Sequence, residues 1–469
     1  MSPLATAETT PLSPPLPRGG LGWGQRSGCQ KTISPDLLKQ AVQHLMEHHD
    51  ALRLRFTLTE SGWQQVNGGL DATETVPVSY MDLSEAPAAE QETTLEATAS
   101  ELQASVNLAE GSLMRVALFH LGDNQPNRLL IVIHHLAVDG ISWRILLEDF
   151  QQIYQQLSQG EAVQLPPKTF SFKQWSESLR EYARSERLQE ERNYWLRTSH
   201  YSRLPVDNPN GANMVALAET VSVSLNVEET RALLQDVPSV YQTQINDVLL
   251  TALVQTFAEW TQEHSLLLDL EGHGREAIDK DIDVSRTVGW FTTIFPVLLT
   301  LEEISHPGEA LKAIKEQLRG VPNRGIGYGV LRYLSEDAQV TQRLQSLPQA
   351  EVRFNYLGQF DQVLPESSLF KLVNPTTDTS RSPRGNRRYL IDVNGFVLGG
   401  QLQLEWTYSE QIHQRSTIKQ LAQGFVEALR SLITHCQSPE AGGYTPSDFP
   451  EANLSQKDLE QFLAKINRG

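Results

Sequence analysis

His134-His135-Leu136-Ala137-Val138-Asp139-Gly140, followed by Ser142 and Trp143, is the stretch that decides how this chain is read. The apolar run Leu129–Ile133 leads into it, and Ile141–Leu157 leaves it with Ile145, Leu146, Phe150, Ile153 and Leu157 at helical spacing. A strand that ends in polar residues and passes into a helix makes an α/β unit. Adjacent strand residues point to opposite faces, so only one of His134 and His135 can face a given cleft and the other is structural. An imidazole is the side chain best matched to proton transfer near neutral pH. Asp139 lies just past the strand end, where a turn through Gly140 can aim it back beneath the histidine to fix the ring or pair with an arginine. The plain alternative is a core histidine pair and an aspartate that opens a helix. A metal site is the weaker reading, because the spacing is not the helical i, i+4 pair of a zinc site and no third ligand is evident.

Outward from this stretch the α/β mixture continues. Met114–Leu121 and Arg128–His134 read as two strands joined by a turn over residues 122–127. Ser34 can cap a helix whose stripe is Leu37, Leu38, Ala41, Leu45 and Met46. Leu52–Phe56 reads as a strand, with Arg53 and Arg55 sharing one face. Phe172–Leu196 reads as one charged helical stretch with Trp175, Leu179, Tyr182 and Trp195. The Pro-, Asn- and Gly-rich segment 204–213 is the best lobe boundary. In the second half, Ile245–Trp260 and Ser416–Leu432 are helical, Leu266–Leu270 is a short strand, and Tyr389–Val397 with Gln401–Tyr408 forms a hairpin around Gly399 and Gly400. Residues 438–469 read as a loop and a short polar helix, resembling an interdomain connector.

Composition narrows the function. At 469 residues the chain fits two lobes of about 200 residues each. A formal net charge of -18 repels phosphate backbones, which argues against nucleic acid and a bare anionic membrane as partners. No apolar run approaches the roughly 20 residues a spanning helix needs. Two cysteines, Cys29 and Cys436, provide neither a disulfide framework nor a cysteine zinc site, so a cytoplasmic setting is expected. Residues 1–31 are dense in Pro and Gly, lack a secretory apolar core, and read as irregular.

Glu271 is the second candidate. It follows the strand Leu266–Leu270 and is flanked by Gly272 and Gly274, which leave room for a ligand beside the backbone. Desolvation at a buried strand end raises a carboxylate's pKa toward neutrality, which suits acid–base work. A surface acidic loop, with His273 and Arg275 as counter-charges, is the alternative. Asn355 and Tyr356 are candidates for hydrogen-bonding a substrate carbonyl or an enolate oxygen; an internally satisfied buried strand is theirs. Trp290 and Phe291 suit packing or a channel wall.

These stretches carry a family resemblance. His134–Gly140 resembles the HHxxxDG motif of condensation and epimerization domains of nonribosomal peptide synthetases. Residues 47–56 resemble the upstream (R/E)HxxLRxxF segment, and residues 247–252 the DxLLxA helix. Residues 271–276 read Glu-Gly-His-Gly-Arg-Glu, 286–292 read Arg-Thr-Val-Gly-Trp-Phe-Thr, 322–329 match PxxGxGYG, and 354–358 read Phe-Asn-Tyr-Leu-Gly. The last four patterns are similar to those of epimerization domains, and all run in family order.

The resemblance implies two chloramphenicol-acetyltransferase-like lobes forming a V with a central tunnel, an N-terminal lobe over 32–203 and a C-terminal lobe over 204–437. It implies epimerization of the α-carbon of an aminoacyl or peptidyl thioester on the phosphopantetheine arm of a peptidyl carrier protein, with neighbouring synthetase modules as further partners and no cofactor of its own. His135 and Glu271 are then the acid–base pair across the tunnel, His134 is structural, and Asp139 is structural support paired with Arg53. Trp290, Phe291 and Tyr328 line the substrate channel. A condensation domain, or an inactive carrier-binding remnant, is the alternative. The family's opening P(I/L)QxWF segment has no counterpart here: Pro11-Leu12-Ser13-Pro14 is followed by Pro15-Leu16-Pro17-Arg18-Gly19-Gly20, so the first strand is expected to be missing.

Overall fold

The computed structural model describes residues 22–24, 33–60, 62–69, 76–123, 125–197, 201–301, 306–360, 371–373, 382–452 and 454–466. In chain order these form β1 Gly22–Gly24, α1 Pro35–His48, β2 Leu54–Thr59, β3 Gly62–Asn67, β4 Val78–Asp82, α2 Ala88–Ala104, β5 Met114–His120, β6 Arg128–Ile133 and α3 Gly140–Ser158. There follow α4 Phe172–Ala183, α5 Glu186–Trp195, β7 Ala218–Ser224, α6 Val227–Arg231, α7 Val237–Tyr241, α8 Ile245–Thr261, β8 Ser265–Gly272 and β9 Thr293–Thr300. The chain continues through α9 Pro307–Arg319, α10 Ile326–Tyr333, α11 Ala338–Ser346, β10 Val352–Gln359, β11 Lys371–Val373, β12 Ile391–Leu398, β13 Gln401–Ser409, α12 Arg415–Cys436 and α13 Gln456–Ile466. Two compact units result. One comprises Met1–Leu179, Ala277–Thr292 and Gln362–Ser382; the other comprises Arg180–Glu276, Thr293–Asp361 and Pro383–Gly469.

The first unit is built on a sheet of order β11-β1-β6-β5-β4, beside the separate β2-β3 hairpin. Ser34 caps α1, accepting from Leu37 N–H, and the helix buries Leu38, Ala41, Val42, Leu45 and Met46. These pack with Ile145, Phe150 and Ile153 of α3 and with sheet residues such as Val116, Leu118 and Ile131 in one core. The N-terminal expectation is corrected here. Gly22-Trp23-Gly24 forms a strand, Trp23 lying opposite Leu129 of β6, and β11 continues the sheet beyond it. Ladder bonds use main-chain groups only, so a glycine-rich stretch can still supply them. The rest of the 1–31 segment lies outside the described residues.

The pairing of Arg53 with Asp139 is also corrected. Residues Asp50–Arg53 form a 3-10 turn and the strand begins only at Leu54. That turn directs Arg53 to Asp50 at 2.7 Å and to the carbonyls of Met46 and Glu47. The charged stretch 172–196 is two helices, because Ser185 caps α5 by accepting from Leu188 N–H.

The second unit carries a six-stranded sheet of order β7-β13-β12-β10-β8-β9. β8, β10 and β12 run parallel, while β9, β13 and β7 pair antiparallel. Its two faces differ. Leu268, Leu270, Phe354, Val393, Leu404 and Trp406 are buried, and Trp406 meets Phe257 of α8 and Phe425 of α12. The alternating residues Asp269, Arg353, Asn355, Asp392 and Asn394 are polar and also buried. The proline-rich 204–213 stretch belongs to this unit as an anchored loop: Asn208 bonds Ile412 and Gln411, and Asn213 bonds Arg387 and Tyr389.

Candidate active site

In the first unit, β6 ends at Ile133 and His134 opens a one-turn 3-10 helix, His135–Ala137. The histidines therefore lie beyond the strand, and strand alternation is not what separates them. His134 bonds into its own turn, its Nδ1 accepting from Leu136 N–H at 3.2 Å. Burial, helped by the neighbouring His135, lowers its pKa, in keeping with a neutral ring that accepts. His135 is half-buried, its ring 5.1 Å from that of Trp290.

Asp139 is 2% exposed and caps α3. Its Oδ1 accepts from Ser142 N–H at 2.8 Å and its Oδ2 from Phe291 N–H at 3.0 Å. Ser142 adds a reciprocal pair, its hydroxyl donating to Gly289 O at 2.9 Å and accepting from Gly289 N–H at 3.1 Å. A Cβ at Gly289 would run into the Phe172 ring, so glycine is required there. Further along α3, Glu148 and Asp149 hold Arg286. The segment 286–291 is thus bonded along the histidine motif's helix, with Trp290 beside His135. Phe291 is buried against Phe172 and Trp175, which makes it a packing residue; Trp290 is only half-buried.

His48, His49 and Asp149 bring three potential metal-ligand atoms within 4.8 Å. Asp149 already accepts from Arg286 and pairs with His49 Nε2 at 2.9 Å, and a resident guanidinium opposes a second cation.

In the second unit, Glu271 lies within β8, opposite Ile294 of β9. Its side chain is 4% exposed. Arg353 Nη1 donates to Oε1 at 3.0 Å and Asn355 Nδ2 donates to Oε2 at 2.6 Å. Arg353 Nη2 reaches Asp392 Oδ1 at 2.8 Å, and Arg387 Nη2 reaches Asp392 Oδ2 at 2.8 Å. Burial works against the charge of Arg353, but the Asp392 and Glu271 carboxylates outweigh it and raise its pKa. The surface-loop alternative for Glu271 is therefore excluded. Gly272, next to it, faces the hydroxyl of Thr293 so closely that a Cβ would come within 2.8 Å of it.

Asn355 is engaged with Glu271, whereas Tyr356 lies on the other strand face, beside Gly395. The structure does not bring these two candidates together. The Tyr356 hydroxyl is buried without a hydrogen-bond partner among the described residues, and burial pushes its pKa up to about 12. Tyr328 is buried on α10, its hydroxyl accepting from Arg332 at 2.6 Å and its ring 5.4 Å from that of Trp195. The turn before it is strained: Asn323 and Arg324 have φ of 40° and 51°. Buried Glu191 steadies that turn, accepting from Asn323, Tyr182 and Trp195.

The family model for the condensation domain matches residues 27–455. This chain belongs to the condensation-domain family. A linear gramicidin synthase protein from Brevibacillus parabrevis is 50% identical over 440 residues, which is 93% of this chain and 6% of that protein. A second linear gramicidin synthase protein of the same organism is 47% identical over 438 residues, 92% of this chain and 8% of that protein. The chain thus spans less than a tenth of the length of these relatives. Among solved structures, the epimerization domain from the third module of tyrocidine synthetase B superposes with a TM-score of 0.81 at 34% identity, covering 89% of this chain and 92% of that one. The fold is the chloramphenicol-acetyltransferase-like α/β fold of this family.

In this condensation-family domain, sequence reasoning missed Arg353, Asp392 and Arg387. Their signal was present: Asp269-x-Glu271, Arg353-x-Asn355 and Asp392-x-Asn394 place polar residues at period two inside otherwise apolar strands. Such residues, when buried, must bond one another. In the sequence Ser142 stands only as a neighbour of the motif; its partner Gly289 lies 147 residues away. No helix among the described residues is long and apolar enough to cross a membrane.

Proposed function

We propose that this domain epimerizes the α-carbon of an aminoacyl or peptidyl thioester carried on the phosphopantetheine arm of a peptidyl carrier protein within a nonribosomal peptide synthetase. The observation that carries this reading is the buried carboxylate of Glu271, held on both oxygens by Arg353 and Asn355. Amide-bond formation has no need of such a group, whereas inversion requires a second proton-transfer residue besides a histidine. The likeness to the tyrocidine synthetase epimerization domain supports the same reading.

The thioester carbonyl accepts charge from the α-carbanion better than an amide does. One residue removes the α-proton and the other returns a proton to the opposite face. His135 and Glu271 take these roles, each switching with the direction of the reaction. Asn355 and Arg353 orient Glu271, and Asp139 holds the Trp290 segment beside His135. No organic cofactor enters these steps. Condensation remains the second reading, because the family match and the histidine motif serve it equally.

The test is α-hydrogen exchange in deuterated water, with L- and D-aminoacyl thioesters of a phosphopantetheinylated carrier protein. Glu271→Gln and His135→Ala should each lower exchange by about 10²–10⁴-fold. Near-normal exchange and inversion by folded Glu271→Gln, or a new amide as the product, would return the domain to the condensation reading.

A further inference from the structure

Glu271 does not stand alone on its strand. Register sets Arg353 opposite both Asp269 and Asp392, so β8, β10 and β12 present a row of alternating charge across the sheet. Two residues further along, on the same face, come Glu271, Asn355 and Asn394. Within this lattice Arg353 is the branch point: one guanidinium nitrogen serves Glu271 and the other serves Asp392. Asp392 is in turn held by Arg387, which also donates to Thr407 O at 2.7 Å. The order is Glu271⁻, Arg353⁺, Asp392⁻, Arg387⁺, with all four side chains 6% exposed or less.

We propose that Arg353, anchored through Asp392 and Arg387, is the positioning residue that fixes both the orientation and the charge of Glu271. The proposal rests on the reading of Glu271 as a proton-transfer group. A buried carboxylate without a cation favours its neutral form; a guanidinium at 3.0 Å favours the charged form, ready to accept a proton. Arginine suits the place because its planar fork sends two separate nitrogens to two carboxylates in fixed directions, whereas lysine offers one compact ammonium. Other charged groups belong to the surroundings. Asp269 lies two residues earlier on β8 and is engaged by Arg388 and Tyr389. After β8, His273 pairs with Glu276 at 3.2 Å, and Arg324 of the strained turn approaches Glu276 at 3.9 Å; Arg275 lies between. Arg353 pairs with Glu271 directly, from within the sheet.

The test is the pH profile of α-hydrogen exchange, again with aminoacyl thioesters of phosphopantetheinylated carrier protein. Loss of the guanidinium favours protonated Glu271. In Arg353→Gln the acid limb should therefore move to higher pH by about 1–3 units, with activity recovering as pH rises. In Arg353→Lys the limb should stay closer to the parent's while the rate falls, because a single ammonium cannot reproduce the two directed Nη contacts that orient Glu271. A folded Arg353→Gln protein with an unmoved limb, alongside an inactive Glu271→Gln, would overturn the proposal and leave the function reading intact. An active Glu271→Gln would instead sink the function reading. If Arg353→Gln does not fold, Arg353→Lys decides: a rate and a limb both equal to the parent's would refute the need for the fork.

Discussion

Asp139 and Glu271 are two of the buried carboxylates of the family motifs, and each uses both oxygens as acceptors. Their partners differ in kind. Asp139 accepts from two backbone amides, those of Ser142 and Phe291. Glu271 accepts from two side chains, Arg353 and Asn355. Backbone donors are placed by the fold and cannot be exchanged, so a carboxylate bound to them works as a joint. Here the joint fastens the segment carrying Trp290 to the helix that follows His135. Side-chain donors can be charged and can be replaced singly, so the carboxylate they hold can have its proton affinity set. The same functional group is therefore scaffold in one unit and candidate base in the other, and the donor type separates the roles better than burial does.

Exchanging one oxygen for an amide nitrogen tests this directly. Asp139→Asn keeps the size but turns an NH₂ toward one of two N–H donors, leaving a buried amide without an acceptor. A loss of about 1–3 kcal/mol in unfolding free energy is expected, read by denaturant titration. The pH profile of exchange by the folded fraction should stay put. Unchanged stability, or a displaced limb, would erase the distinction from Glu271. Ser142→Ala probes the same contrast at a smaller scale. It removes a hydroxyl that serves both Gly289 N–H and Gly289 O, at a cost of about 1–2 kcal/mol. Hydrogen exchange at Gly289 and Trp290 should speed up in mass-spectrometric labelling, while peptides of β8 and β10 keep their protection. Equal acceleration in both units would show that the segment's order does not depend on this joint.

The difference also explains what could be read in advance. Helix spacing, with the Ser34 cap for α1, placed α1, α3 and α8 to within about a residue where bounds were read, and α12 with its C-terminal end four residues short, because period and cap are local properties. The boundaries of β6 and β8 moved by one or two residues, and one of those shifts mattered. With the strand ending at Ile133, the alternation argument for His134 and His135 lost its basis. Arg53 was misread for the same reason, a 3-10 turn standing where a strand was expected. The motif residues themselves were legible, but their partners were not. Glu271 meets Arg353 across 82 residues, and Asp139 meets Phe291 across 152. Strand order decides such contacts, and nothing in a local window encodes it.

The smallest effect concerns the histidine that the turn retains. His134 Nδ1 accepts from Leu136 N–H, which only a ring unprotonated at that nitrogen can do. Burial lowers its pKa below the ordinary 6.5, and the nearby His135 adds to this. The unfolded chain therefore takes up the proton at a higher pH than the folded one. His134's contribution to stability is complete above the ordinary pKa, shrinks as pH falls below it, and is fully lost below the folded value. Asparagine offers an oxygen in place of Nδ1 and does not titrate. Between about pH 7 and pH 5, the unfolding free energy of His134→Asn should fall less steeply than that of the parent. Some slope must remain, because burial also lowers the pKa of His48, His413 and His435. Parallel slopes for the two proteins would mean that His134 keeps its ordinary affinity for the proton, and the turn would then owe nothing to a neutral ring.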